Sequence, residues 1–237
     1  WCAPCEGRSR HWNPKRRFPS RRHGMGVRAR DQSGVRPNDR PIVTGLFITY
    51  GLFWIGLAIA PVDRQDWFLE NLLAVALVAV LVLTYRRFAF SLPAYCLILA
   101  FLLLHAIGAH YTYSEVPFGF WLKDALALSR NPFDRLVHFA YGLLLVYPLR
   151  EVLMRLAGVR GMWVSYLAIS GILAQSGFFE VIEAIVAMIV SPELGSLYLG
   201  TQGDEWDAQK DMAAAFLGAL LTITGTMFLR RDERLST

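Results

Sequence analysis

Cysteine is scarce in this 237-residue chain: Cys2, Cys5 and Cys96 are the full set, too few for a disulfide framework. Cys2 and Cys5 form a single C-x-x-C pair in an arginine-rich segment. One such pair, with no second half-site, does not make a zinc or redox centre. Cys96 lies in an apolar stretch and is expected to be an inert packing residue. Charge is scarce as well. Only 18% of residues are Asp, Glu, Lys or Arg, against 54% hydrophobic, which is too apolar for an ordinary water-soluble domain. Local catalytic signatures are missing too. There is no serine-nucleophile elbow, no H-E-x-x-H and no phosphate loop, so no reaction type is written in the primary structure.

The formal net charge of +5 comes largely from the first forty residues, which hold eleven of the 24 Lys+Arg. That balance suits anionic lipid headgroups and gives no reason to expect a nucleic-acid partner. The chain starts with Trp1, and Met25 is the first plausible start. Residues 1–24 are therefore expected to be upstream or remnant sequence outside the fold. Residues 1–40 are expected to form a disordered basic tail.

Long apolar runs take up most of what remains. Residues 41–61 carry no charge, 67–85 only Glu70, and 88–109 only His105. Residues 133–149 are charged only at their start, 161–190 contain Glu180 and Glu183, and 212–229 are uncharged. About 20 helical residues cross a hydrocarbon core. The expected fold is therefore all-α: a polytopic membrane protein whose six transmembrane helices occupy 41–231, followed by a short tail at 232–237. The alternative is a set of helices buried in a large soluble protein.

Six spans put both termini on one side, and the basic residues identify that side as cytoplasmic. Arg28, Arg30, Arg36, Arg40, Arg86, Arg87, Arg150, Arg155, Arg160, Arg230, Arg231 and Arg234 all fall there. The opposite loops, 62–66, 110–132 and 191–211, hold nine of the 19 acids. The segment "GTQGDEWDAQKDM", Gly200 to Met212, is the densest of these, and it runs straight into an apolar span.

Helical rise puts the ionisable groups of four helices at similar depth. His105 lies about 27 Å from the cytoplasmic end of its helix, Asp211 about 28 Å, Glu180 about 30 Å, Asp134 about 24 Å and His138 about 18 Å. Asp134, His138 and Tyr141 share a helix face, as do Glu180 and Glu183. Asp204, Asp207 and Asp211 share one if their helix starts before Asp204. Ionisable groups at membrane depth usually face the bundle interior or a wet cavity. One outward-facing pocket is therefore expected between the third and sixth spans. His138, Asp134, Glu180, Glu183, Asp207 and Asp211 would line it, with His105 at its edge.

Plainer roles fit each feature taken singly. Asp134 and Arg135 suit a helix start, Glu180 and Glu183 an interfacial helix end, Asp204 and Asp207 a solvated loop, and His138 a hydrogen-bonded core position. Trp67, Trp121, Trp163 and Trp206 suit interface belts. Residues 121–128, "WLKDALAL", are expected to lie on the outer surface as a short amphipathic connector.

Four stretches carry a resemblance: "HAIGAHYTYSEVPFG", "RNPFDRLVHFAYGLLL", "FFEVIEA" and "LGTQGDEWDAQKDM". With them the chain, from about Pro41 to Arg231, resembles the YjdF-like bacterial inner-membrane proteins, a domain-of-unknown-function family. The resemblance implies a multi-pass protein of the bacterial inner membrane and brings no settled activity. A fainter similarity reaches the VanZ-like membrane proteins, which share an Asp with a His four residues later and a small-residue stretch like "AAAFLGA".

Three functions fit these residues. The first is an enzyme on a lipid-linked or envelope substrate. In it His105, His138, Glu180, Glu183, Asp207 and Asp211 would supply ligands to a divalent cation such as Zn²⁺ or Mn²⁺. His138, Glu180 and Asp134 would do the acid–base work. The second is a non-catalytic cation-binding or scaffold protein. The third is a proton-coupled transporter. It is disfavoured because the ionisable groups stop in the outer half and no inverted repeat is visible.

Overall fold

A computed structural model describes residues 34–235, with side chains through Phe228. The expectations for residues 1–24, Cys2 and Cys5 lie outside the described residues. Regular structure among the described residues is helical throughout: α1 (Arg40–Leu57), α2 (Arg64–Thr84), α3 (Leu92–His110), α4 (Pro117–Ala125), α5 (Phe133–Arg155), α6 (Met162–Ile189), α7 (Pro192–Leu199) and α8 (Asp207–Leu235). Six of them, α1, α2, α3, α5, α6 and α8, are long and apolar enough to cross a membrane. The short α4 and α7 sit in the loops at the acidic end.

Local chemistry sets the helix starts. The Asp63 carboxylate accepts from the backbone N–H groups of Gln65 and Asp66 at 2.8 and 2.9 Å, capping α2. Ser91 caps α3 ahead of Pro93, and Ser191 caps α7 ahead of Pro192. Gly200 ends α7 in the left-handed region at φ 58°, which lets the chain turn sharply toward α8.

The spans form two halves that meet through α3 and α5. In one half α3 packs on α1 and α2 around Leu81, Ile98, Leu99 and Leu102. In the other, α5 packs on α6 and α8 around Val146, Ala168, Ile172, Ala215 and Ala219. The α5–α8 crossing is the most extensive and the tightest. A methyl group added at Gly142 would run into the Ala215 carbonyl, and one at Gly218 into the backbone of Phe139 and Leu143. Small residues let the two backbones approach, and the Thr222 hydroxyl donates across the crossing to the Leu143 carbonyl at 2.6 Å.

The outer surface of the bundle suits lipid. Leu52, Ile55, Leu83, Met188 and Ile189 are among many large apolar side chains left exposed. Cys96 corrects the expectation of a packing residue: it is exposed on α3, turned away from the buried Ala94, Tyr95 and Ile98. Trp121, Trp163 and Trp206 are exposed, as interface anchors should be. Trp67 departs from that belt. It is half-buried, its ring centroid 5.3 Å from that of Trp54, with the Arg64 guanidinium 5.5 Å over its face.

The basic end is tied together by Glu151. Its carboxylate accepts from the backbone N–H and hydroxyl of Ser91, each at 2.9 Å, and pairs with Arg155, whose guanidinium lies 4.5 Å over the Phe88 ring. Both ends of the six-span unit lie at this basic end, which predicts a cytoplasmic C-terminus. A reporter fused after Arg231 should behave as cytoplasmic and one at Gly195 as external. An external C-terminus would invert the orientation.

Candidate functional site

The acidic end is assembled on the first turns of α5. Asn131 makes this junction rigid. Its buried side-chain amide donates to the carbonyls of Ser114 and Val116 at 2.8 and 3.1 Å, and its Oδ1 accepts from the Phe133 N–H at 3.0 Å. The Asn131 backbone is clasped by Gln202, which accepts from its N–H and donates to its carbonyl, both at 3.0 Å. These bonds lay the 200–206 loop across the start of α5. Gly203, at φ 84°, supplies a left-handed turn in that loop. The spacing of "RNPFD" and "GTQGD" thus serves one loop-to-helix joint.

Two arginines anchor the acids of that loop and of α8. Arg130 pairs with Asp207 and donates to the Thr201 carbonyl at 2.8 Å. It lies 4.0 Å from both Asp134 and Asp204. Arg135 donates to Asp207 at 2.8 Å and to Asp204 at 3.3 Å, and its Nε lies 3.4 Å from Asp211. Asp207 is therefore held by both guanidinium groups. Lys210 grips both oxygens of Asp204, at 2.8 and 2.7 Å. That contact comes first among the causes that hold the Asp204 carboxyl down at about 2, below its ordinary 3.8. The pairing steadies the loop above the free carboxyl's value and fades as pH falls toward 2.

Asp134, His138 and Asp211 form the tightest cluster. Each presents a ligand atom, and these atoms all lie within 4.8 Å of one another. His138 sits between two carboxylates, its Nε2 3.6 Å from Asp134 and its Nδ1 3.7 Å from Glu180. These are ion-pair distances, longer than hydrogen bonds. The Phe179 ring meets the imidazole edge-on, with centroids 5.9 Å apart. One nitrogen and two carboxylates on this scale match the donors that Zn²⁺ or Mn²⁺ accepts.

Beside the cluster a cavity of about 260 Å³ runs inward. Its head is polar, lined by Glu70, His105, Tyr113, Asp134, His138, Glu183 and Tyr198. Its deeper wall is mainly apolar, with Leu77, Phe101, Leu102 and Leu145, and with the Tyr141–Gln175 pair and Ser176 among them. The Tyr113 hydroxyl lies 2.5 Å from His105 Nδ1. Burial, then nearby carboxylates led by Glu70, push the phenols of Tyr113 and Tyr198 well above the ordinary tyrosine value, so both stay neutral.

The expected pocket is redrawn in three respects. Asp134, His138, Glu183 and His105 line the cavity, but Glu180, Asp207 and Asp211 do not. Asp207 is engaged by the arginines, whereas Asp211 approaches His138 from the α8 side. His105 is a buried wall residue rather than an edge residue. The second span, left out of the expected pocket, supplies Glu70. Asp204 sits in the turn before α8, so only Asp207 and Asp211 share a helix face. The amphipathic connector expected at 121–128 is a helix over Pro117–Ala125. Sequence reasoning missed Arg130, Asn131, Gln202 and Tyr198. Glu70 did carry a signal, as the one charge inside its apolar run.

A family profile described as "Predicted membrane protein (DUF2238)" matches residues 42–232. The "Inner membrane protein YjdF" of Escherichia coli (strain K12) is 38% identical over 185 residues, covering 78% of this chain and 87% of that protein. No solved structure gives a significant match.

Proposed function

The chain belongs to the DUF2238 family of predicted membrane proteins, and on that footing we propose that it is a metal-dependent membrane hydrolase or transferase acting on a lipid-linked or envelope molecule. Its place would be the inner membrane, as the name of its Escherichia coli relative says of that protein. The carrying observation is the Asp134–His138–Asp211 cluster, two of whose members line a cavity that is polar at its head and largely apolar within. A divalent ion held there would polarise a substrate oxygen or lower the pKa of a bound water. Glu180, 3.7 Å from the far nitrogen of His138, would orient the ring and receive its proton. Arg130 and Arg135 would keep the neighbouring acids of α8 in place.

A second reading is favoured by Asp207, which both arginines hold. In it the acidic end is a brace for the outer loops and the protein is a scaffold. Thermal unfolding of the detergent-purified chain separates the two. The metal reading expects Zn²⁺ or Mn²⁺ to raise the Tm, and His138→Ala and Asp211→Asn each to abolish the rise. The brace reading expects no cation-dependent rise in the wild type.

A further inference from the structure

The cavity has a chemical character of its own, apart from the triad beside its head. Among the described residues no lysine or arginine lines it, while Glu70, Asp134 and Glu183 do. Asp134 has Arg130 at 4.0 Å. Glu70 and Glu183 form none of the arginine or lysine pairs of the acidic end. Glu70 is 5% exposed, and its Oε2 faces no hydrogen-bond donor. A buried carboxylate oxygen without a partner is costly and is a ready acceptor for a cationic head. The phenols of Tyr113 and Tyr198 add neutral hydrogen-bonding groups and ring faces beside it.

The opening faces lipid. Leu73 on α2 and Phe178 on α6 both line the cavity, yet they are 44% and 66% exposed on the outer surface of the bundle. α2 packs on α3 and α7 and has no extensive packing along α6, whereas α7 bridges α6 and α2 at the acidic end. The gap between α2 and α6 is thus roofed on the water side and open sideways, at the level of apolar side chains.

We propose that this cavity binds a single-chain amphiphile with an ammonium head, admitted laterally from the membrane between α2 and α6. Glu70 and Glu183 take the head, and the Leu77–Phe101–Leu102 wall takes the chain. A volume of about 260 Å³ holds a small head and one alkyl segment. The proposal deepens the reading above by naming the chemistry of the substrate, but its ammonium site uses Glu70 and Glu183 and stands without a metal.

The test is calorimetric titration of the full chain in maltoside detergent with EDTA present, using dodecylammonium, dodecyl phosphate and propylammonium below micellar concentrations. Saturable binding of dodecylammonium is expected, with dodecyl phosphate silent and propylammonium at least about tenfold weaker, since each buried methylene contributes about 0.8 kcal/mol. Glu70→Gln and Glu183→Gln should each weaken binding by about tenfold or more, the scale of a charge-assisted hydrogen bond. Equal or tighter binding of dodecyl phosphate, or only unsaturable uptake of dodecylammonium, overturns the proposal. So do glutamine variants that fold and bind as the wild type does. Should those variants fail to fold, the three-ligand comparison on the wild type decides alone. Dodecylammonium binding in a protein that takes up no metal refutes the metal reading and leaves this one intact.

Discussion

Gly142→Leu should abolish stable packing of α5 on α8. Even a single carbon at this position meets the carbonyl of Ala215, and from the facing helix Gly218 sits against the backbone of Phe139 and Leu143. Side chains can rotate away from an intruder; two backbones in contact can only move apart. Overpacking a core costs about 1–3 kcal/mol, and a clash of backbone on both sides belongs at or above the top of that range. The damage should reach the candidate site, because α5 carries Asp134 and His138 and α8 carries Asp211. The expected result is loss of the monodisperse folded species on size exclusion, together with a large fall in Tm. Gly225→Leu is the matched control on α8, since nothing lies within 4 Å of a methyl group built there, and it should be nearly silent. A Gly142→Leu protein as stable as the wild type would refute the close crossing.

Asp207→Ala should be the most damaging single substitution in the acidic network. It removes the carboxylate, only 6% exposed, that accepts hydrogen bonds from both Arg130 and Arg135, whereas Asp204 lies 4.0 Å from Arg130. Breaking a buried ion pair costs about 3–5 kcal/mol when a charge is left without a partner. Here Arg130 keeps Asp134 and Asp204 nearby and Arg135 keeps Asp204 and Asp211, which lowers the cost. The arginine side chains are 10% and 31% exposed, so water reaches Arg135 and the lower end of that range applies. By contrast, Lys210→Ala removes a pair whose lysine is half exposed, and should cost about 1 kcal/mol or less. Chemical unfolding in detergent compares the two. An Asp207→Ala protein no less stable than Lys210→Ala would contradict the arginine clamp.

The spans were legible because hydrocarbon thickness fixes a minimum apolar length, which all six runs meet. The Asp134–His138 pair was legible because helical spacing alone puts i and i+4 on one face. Arg130 was not, since its partners Thr201 and Asp207 lie across a loop joint that local spacing cannot encode. Cys96 was misjudged for a different reason. α3 is apolar on every side, so its sequence does not distinguish the buried face of Ile98 and Leu102 from the lipid face. Glu70 stood out as a charge in an apolar run, but its place opposite α6 depends on how the two halves of the bundle meet. The turn at Gly203 and the clasp of Gln202 on Asn131 likewise emerge only from the folded joint.

Metal content of the detergent-purified full chain, determined by elemental analysis after exposure to Zn²⁺ or Mn²⁺ and removal of free ion, tests the Asp134–His138–Asp211 centre most directly. The expected result is about one equivalent per chain, as one compact donor cluster would hold, lost on EDTA treatment and absent from folded His138→Ala and Asp211→Asn variants. A folded wild-type protein that retains neither ion, or one whose metal content survives both substitutions, would contradict a cation centre at this site.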